Sequence, residues 1–246
     1  PVGPESGTRP LSKEFIKGTE RLAHKYGALL IFDEVVTGFR IGPSCAQGYF
    51  GVDPDLTILG KIIAGGYPGA GGVGGHKDAM AYLGAGLDSS GKKVPKAMCG
   101  GTLAAIPISC VAGYYTLCEI QKTNACEKAG RMGDRLTKGL QELIRKYNLP
   151  FVAFNQGSIC HLDNAGTMHF NINWHKLWTV PSVLKQTSIR QKEMEHMGAA
   201  YMAEGLITLA GSRLYTNASY TEEMIDDVLS RFEKVFAKCG PLETGN

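Results

Sequence analysis

No run of about 20 apolar residues, the length a helix needs to cross a bilayer, occurs in this chain, which argues against a membrane span. Dense runs of Lys or Arg are missing too. The 26 Lys+Arg against 23 Asp+Glu leave a formal charge of +3. Lys92-Lys93 with Lys96 is the nearest thing to a basic cluster and reads as a solvated loop, so nucleic-acid binding has little support. The seven cysteines, at 45, 99, 110, 118, 126, 160 and 239, form no C-x-x-C pair, and their number is odd. No signal peptide is visible. Reduced thiols in a cytoplasmic protein are the expectation. The six histidines make no familiar metal spacing with those cysteines, so no metal centre is expected. The sequon Asn217-Ala218-Ser219 reads as chance in such a compartment.

What is present is an ordinary globular composition, 246 residues with 43% apolar and 20% charged, enough for one or two domains. The stretch from Ala28 to Lys61 organises the rest. An apolar run, Ala28 to Phe32, delivers the acidic pair Asp33-Glu34, and a second, Leu56 to Leu59, delivers Lys61 into the glycine-rich turn IIAGGYPG. Short apolar runs bounded by turn signals suit strands buried on both faces, as in a parallel sheet. Groups at strand ends stand where open α/β sheets bind ligands. An acid at one strand end and a lysine just past another could serve pyridoxal phosphate. Its aldehyde needs a lysine amine, and its pyridine nitrogen needs a carboxylate. By chemistry alone this is a weak signal, because most lysines after strands are solvated and most aspartates there cap helices.

In chain order, Leu11 to Tyr26 predicts an amphipathic helix with Leu11, Phe15, Leu22 and Ala23 on its apolar face and Gly27 at its C-cap. Gly69 to Gly74 formally matches G-x-G-x-x-G, but it follows a turn rather than a strand, and the dinucleotide reading is rejected. Glycines here let a narrow strand pass close to the lysine loop. A short helix is expected over His76–Leu83 and an irregular loop over Gly84–Gly101. Gly100-Gly101-Thr102 precedes a long apolar helix, Leu103 to about Gln121, whose start Pro107 would delay to itself if it stands at the first helical position, with Cys110, Tyr114, Tyr115 and Cys118 read as core. Thr102 is then an N-cap, or, with free backbone amides, part of a phosphate site. Beyond Thr123 the pattern is that of a small α+β domain. Helices are expected over Asn124–Tyr147, Ser188–Glu204 and Thr221–Lys238, the last with Met224, Val228, Phe232 and Val235 inward. Strands are expected over Phe151–Phe154, Ser158–Leu162, Met168–Trp174, Leu206–Leu209 and Leu214–Thr216. His161, His169 and His175 read as ordinary strand or loop histidines.

Three segments, LLIFDEVVTGFR, YFGVDPDLTILGKIIAGGYP and GGTLAAIPISCVAGYYTL, in this order and spacing, closely resemble the class III (subgroup II) pyridoxal-phosphate aminotransferases, and within them the glutamate-1-semialdehyde aminomutase-like branch. The resemblance runs from Pro1 to about Lys238 and is strongest between Ala28 and Leu117. It implies an α/β chain of fold type I: residues 1–122 as the C-terminal part of the large cofactor domain with its mostly parallel sheet, and 123–246 as the small α+β domain. It implies pyridoxal 5'-phosphate as cofactor, Lys61 as the Schiff-base lysine, Asp33 on the pyridine nitrogen and Val35 packed on the ring. Thr102 would reach the phosphate of a neighbouring subunit's cofactor, hence a homodimer with shared sites. Arg213 stands where some relatives grip a substrate carboxylate, and Glu5 where relatives usually carry an asparagine. The family's own phosphate loop belongs to an earlier half that these residues do not represent. The implied activity is aminotransfer between an amino acid or amine and an acceptor. An aminomutase, moving the amine within one molecule, is the alternative, and a non-catalytic fragment or partner subunit is the third reading.

Overall fold

Ser12 starts the first helix: its hydroxyl accepts the Phe15 N–H at 3.1 Å, and α1 runs Lys13–Lys25. Gly27, at φ 67°, takes the left-handed conformation that lets the chain turn out of the helix and into the first strand. In this computed structural model, which describes residues 11–84, 86–98, 100–164, 192, 194–209 and 212–239, α1 buries Ile16 while Phe15 and Leu22 are exposed. The inward stripe predicted for it therefore has nothing over it among the described residues. Two compact units form, with the changeover between Glu127 and Lys128.

The first unit is built on a three-stranded sheet in the order β1-β2-β3, with β1 at Ile31–Asp33, β2 at Leu56–Leu59 and β3 at Gly72–Gly75. β1 and β2 are parallel, with Asp33 opposite Ile58, and β3 runs antiparallel to β2, with Val73 opposite Ile58. Phe32 and Thr57 are buried on one face, whereas Ile31, Ile58 and Val73 of the other face are exposed. The expectation of strands buried on both faces is thus corrected: the described helices cover one side only. At the sheet's starting edge, Asp55 fixes the register by accepting from Leu30 N at 2.7 Å and meeting His24 Nε2 at 2.9 Å. The Leu30 amide first, and then His24, hold the Asp55 carboxyl below the usual carboxylate range.

Two further helices complete this sheet's surroundings, α2 at Cys45–Phe50 and α3 at Lys77–Gly84. After β2 the chain makes a 3-10 turn, Lys61–Ala64, and α4, Pro107–Thr123, packs directly on it. The contact is backbone to backbone. A Cβ on Gly113 would collide with the Ile63 carbonyl, and one on Gly65 would meet Ala112. Ser109 adds a pin, its hydroxyl donating to the Pro68 carbonyl at 2.6 Å. Of the two starts the sequence allows, Leu103 and Pro107, α4 takes Pro107, since a proline suits the first helical position and needs no N–H partner. Thr102 therefore lies outside the helix, in a separate turn. Cys110, Cys118, Tyr114 and Tyr115 are exposed rather than core, because the side of α4 that packs is its small-residue side, Ser109 and Gly113.

Helix α5, Ala125–Lys146, belongs to the second unit from Lys128 on, and there it lays Leu136, Leu140 and Ile144 against the sheet β4-β5-β6, with β4 at Val152–Gln156, β5 at Ile159–Asp163 and β6 at Arg213–Tyr215. Both pairings are antiparallel. Helix α6, over 194–203, adds Tyr201, and α7, Glu222–Phe236, adds Ile225, Phe232, Val235 and Phe236 to the same core. Each such large apolar side chain contributes roughly 1.5–3 kcal/mol when fully buried. Thr221 caps α7 by accepting from Met224 N at 3.3 Å, and this phase turns Ile225 inward and leaves Met224 exposed, against expectation. Leu206–Leu209 is not a strand; it supplies one bridge, Leu209 to Arg213. The strand predicted over 168–174, with His169 and His175, and Glu5 lie outside the described residues. No described helix is long and apolar enough to cross a membrane.

Candidate active site

Because β1 and β2 are parallel, their C-terminal ends lie side by side. β1 ends on Asp33, which is exposed; its Oδ1 accepts from Val35 N at 3.0 Å, and its other oxygen has no partner among the described residues. The next residue, Glu34, turns the other way and is 1% exposed. Its carboxylate accepts from Thr37 Oγ1 at 2.7 Å, Ala46 N at 2.7 Å and Gln47 N at 2.9 Å. It thereby caps the first turn of α2, where Ser44 makes no side-chain cap, and its own N–H donates to Ile58 O at 2.8 Å. Glu34 holds the turn that carries Val35 against both β2 and α2.

Lys61 follows β2 directly and stands at φ 51°, a left-handed backbone conformation that non-glycine residues adopt at some energetic cost. Its amine has no hydrogen-bond or ion-pair partner among the described residues. The residue before it must be small, because a Cβ on Gly60 would press on the Val35 methyls at 3.3 Å. A cavity of about 480 Å³ opens here, lined by Val35, Val36, Arg40, Lys61, Ile62 and Tyr67 among others. That size suits a small-molecule site.

Lys61 and Val35 thus share one cavity, and Asp33 ends the neighbouring strand. Thr102 is exposed, lies five residues before Pro107, and does not line the cavity. Arg213 belongs to the second unit, half-buried on β6 opposite His161. Sequence reasoning gave no role to Glu34, Gly60, Ser109 or Gly113. Glu34 is bonded to residues 12 and 13 positions away, and the glycines are required by neighbours far along the chain, so no local pattern signals them. Arg40, the last residue of TGFR, also lines the cavity and had the signal of a cation beside the Asp33 motif.

Comparison with solved structures identifies the fold. A pyridoxal-phosphate-bound transaminase aligns with 97% of this chain and 50% of its own, at a TM-score of 0.76 and 22% identity. A glutamate-1-semialdehyde aminomutase from Pseudomonas aeruginosa PAO1 aligns with 94% of this chain and 49% of its own, at 0.74 and 21%. The architecture is that of the fold-type-I pyridoxal-phosphate transferases. The chain itself belongs to the class-III aminotransferases, whose family model matches residues 1–236. Glutamate-1-semialdehyde 2,1-aminomutase 1 of Staphylococcus epidermidis is 43% identical over 159 residues, 65% of this chain and 35% of that protein. The Macrococcus caseolyticus protein of the same name is 35% identical over 238 residues, 95% of this chain and 50% of its own. Over its full extent, the chain spans about half the length of the curated relatives it matches.

Family membership makes pyridoxal phosphate the cofactor, and the residues present fit it. A lysine amine without a partner among the described residues lines a cavity of suitable size. A carboxylate oxygen without a partner among those residues ends the adjacent parallel strand, and a branched apolar side chain lines the same cavity as the lysine.

Proposed function

We propose that this chain carries the lysine side of a pyridoxal-phosphate-dependent amino-transfer site acting on an amino acid or amine. One observation carries the reading: Lys61, on a left-handed residue at the end of β2, presents an amine with no partner among the described residues to a cavity shared with Val35. When bound, the cofactor supplies an aldehyde that takes up amino groups and a ring that withdraws electrons from the carbon bearing them. Lys61 Nζ is the amine that would bond that aldehyde. Not bonded to it, the same Lys61 amine would hold and move a proton at its Nζ. Asp33 would hold a proton at the pyridine nitrogen, and Val35 would pack against the ring. Thr102 serves the phosphate of a second copy's cofactor, which makes the working unit a homodimer with shared sites. Arg213 takes a substrate carboxylate. Residues 1–122 are part of the large cofactor domain and 123–246 the small domain of a cytoplasmic enzyme.

A second reading, intramolecular transfer as in a glutamate-1-semialdehyde aminomutase, is supported by curated relatives of that name at 33–43% identity. The two differ in whether nitrogen leaves the molecule. Supplying the cofactor-loaded protein with ¹⁵N-labelled donor and ¹³C-labelled acceptor separates them. Transaminase action puts ¹⁵N on ¹³C skeletons, whereas aminomutase action on labelled substrate keeps both isotopes in their original molecules. Absence of transfer of either kind contradicts the proposal and leaves a non-catalytic partner subunit.

A further inference from the structure

In the first unit, Phe39 stands between two thiols, both of that same unit. The Cys126 sulfur donates to the Phe39 carbonyl at 3.1 Å. The Phe39 N–H in turn faces the Cys45 sulfur, and a Cβ on Gly38 would come within 3.8 Å of that sulfur. The backbone here is strained: Phe39 has φ 60° and Cys45 φ 57°, left-handed values that gather at clamps and switches when residues other than glycine adopt them. Cys45 and Cys126 are only 5% and 8% exposed, yet each borders a cavity that also touches Phe39 and Pro43. The cavity is about 590 Å³ on the Cys45 side and about 480 Å³ on the Cys126 side. A molecule little larger than water fits either space. Burial pushes the Cys45 thiol up, the Phe39 backbone draws it partly back, and Glu34 and Cys126 add to the rise. Burial pushes the Cys126 thiol up as well; its own backbone N–H opposes this, Glu127 adds to it, and the Arg40 charge favours the thiolate. Both thiols therefore rest protonated at neutral pH, and neither has a part in the amino-transfer reading.

We propose that Cys45 and Cys126 are a redox pair whose disulfide reshapes the turn that walls the Lys61 cavity. Hydrogen peroxide is the oxidant. The Cys126 thiolate attacks one peroxide oxygen, the O–O bond breaks, and the other oxygen takes up a proton and leaves as water. The Cys45 sulfur then attacks the sulfenic acid so formed. An S–S bond replaces the S–O bond, and the second oxygen leaves as water. Two thiols lose two protons and two electrons, and one peroxide becomes two waters. The bridge removes the Cys126 S–H from the Phe39 carbonyl and draws the two sulfurs together past Phe39. The turn around Phe39 is closed by Gly38 N–H on Glu34 O at 2.8 Å and Arg40 N–H on Thr37 O at 3.0 Å, and it must yield. Val36, Gly38 and Arg40 of that turn line the Lys61 cavity, so oxidation acts on the cavity wall without touching Lys61.

The test uses the full chain, first reduced and then treated with hydrogen peroxide at about pH 8.5, where more of each thiol ionises than at neutral pH. Free thiols are alkylated after denaturation, and the unreduced peptides are mapped by mass spectrometry. The expected product is a Cys45–Cys126 cross-linked peptide that dithiothreitol releases. In C45S the Cys126 sulfenic acid, trapped by dimedone, should take its place. Hydrogen exchange at the Gly38 and Arg40 amides should quicken several-fold in the oxidised protein and return on reduction. Peroxide should leave that exchange unchanged in C126A. Both measurements are made without pyridoxal phosphate, so the pair and the Lys61 reading can fail separately. Where a variant does not fold, the wild-type map and its exchange before and after reduction decide. Cys45 and Cys126 left reduced while the exposed Cys110 and Cys118 oxidise, or bridged to other cysteines, overturns the pair. A Cys45–Cys126 cross-link with unchanged exchange overturns its action on the turn.

Discussion

At the end of β1 two adjacent carboxylates meet opposite surroundings. Asp33 is exposed with one oxygen open among the described residues, while Glu34 is buried and accepts from Thr37, Ala46 and Gln47. Removing a buried, hydrogen-bonded charge leaves its donors without partners and costs about 3–5 kcal/mol. Glu34→Ala should therefore lower the urea-unfolding free energy of the first unit by about that amount. Asp33→Ala, at an exposed position, should change it by no more than about 0.5 kcal/mol while strongly lowering turnover or cofactor affinity. Equal stability losses in the two variants would contradict this division. The strand-end position of Asp33 was legible in the sequence because an apolar run leads directly into it. Glu34 was not, since its partners come from a helix that only the folded chain brings back to it.

Between elements, the closest fit lies where α4 meets the turn of Lys61. Gly113 faces the Ile63 carbonyl there, and a methyl group has no room. Gly113→Ala should cost about 1–3 kcal/mol and displace Lys61, seen as weaker cofactor binding. Gly74→Ala, with nothing within 4 Å of the added carbon, should be close to neutral in both measurements. A G113A protein with unchanged cofactor affinity would argue against this packing as the device that sets Lys61.

The strand β5 adds a pH dependence. Its His161 has a folded pKa near 4, below the ordinary value of about 6.5 for an unfolded histidine. The unfolded chain then binds the proton first. The stabilisation is complete above about pH 6.5 and is lost as pH falls toward 4, by up to ~3 kcal/mol. Urea unfolding of wild type and H161F at several pH values should show this slope in the first and a shallower one in the second. The order of helices and strands was read nearly as it occurs, because periodicity is local. The inward side of α4 was misread, because its packing uses Ser109 and Gly113, which carry no hydrophobic signal.

On the scale of the molecule, two compact units each have a sheet, and the first leaves Ile31, Ile58 and Val73 bare on one face. The apolar runs correctly announced strands, but they record which side chains favour burial, not what is present to cover them. The strand-end placement of Asp33 and Lys61 was legible for a different reason: it follows from strand order and direction, which short apolar runs and turn residues define. The left-handed backbone of Lys61 and the contact of Val35 with the Gly60 position were beyond sequence patterns, since both depend on how α4 and β1 close around the turn.

The central claim is that Lys61 is the lysine that bonds the cofactor. Incubating the protein with pyridoxal phosphate, reducing with borohydride and mapping the peptides by mass spectrometry tests it directly. The account predicts one pyridoxyl-modified residue, Lys61, with the modification absent from that peptide in K61A. Label on another lysine, or label spread evenly over the surface lysines with Lys61 no more modified than the rest, would contradict it.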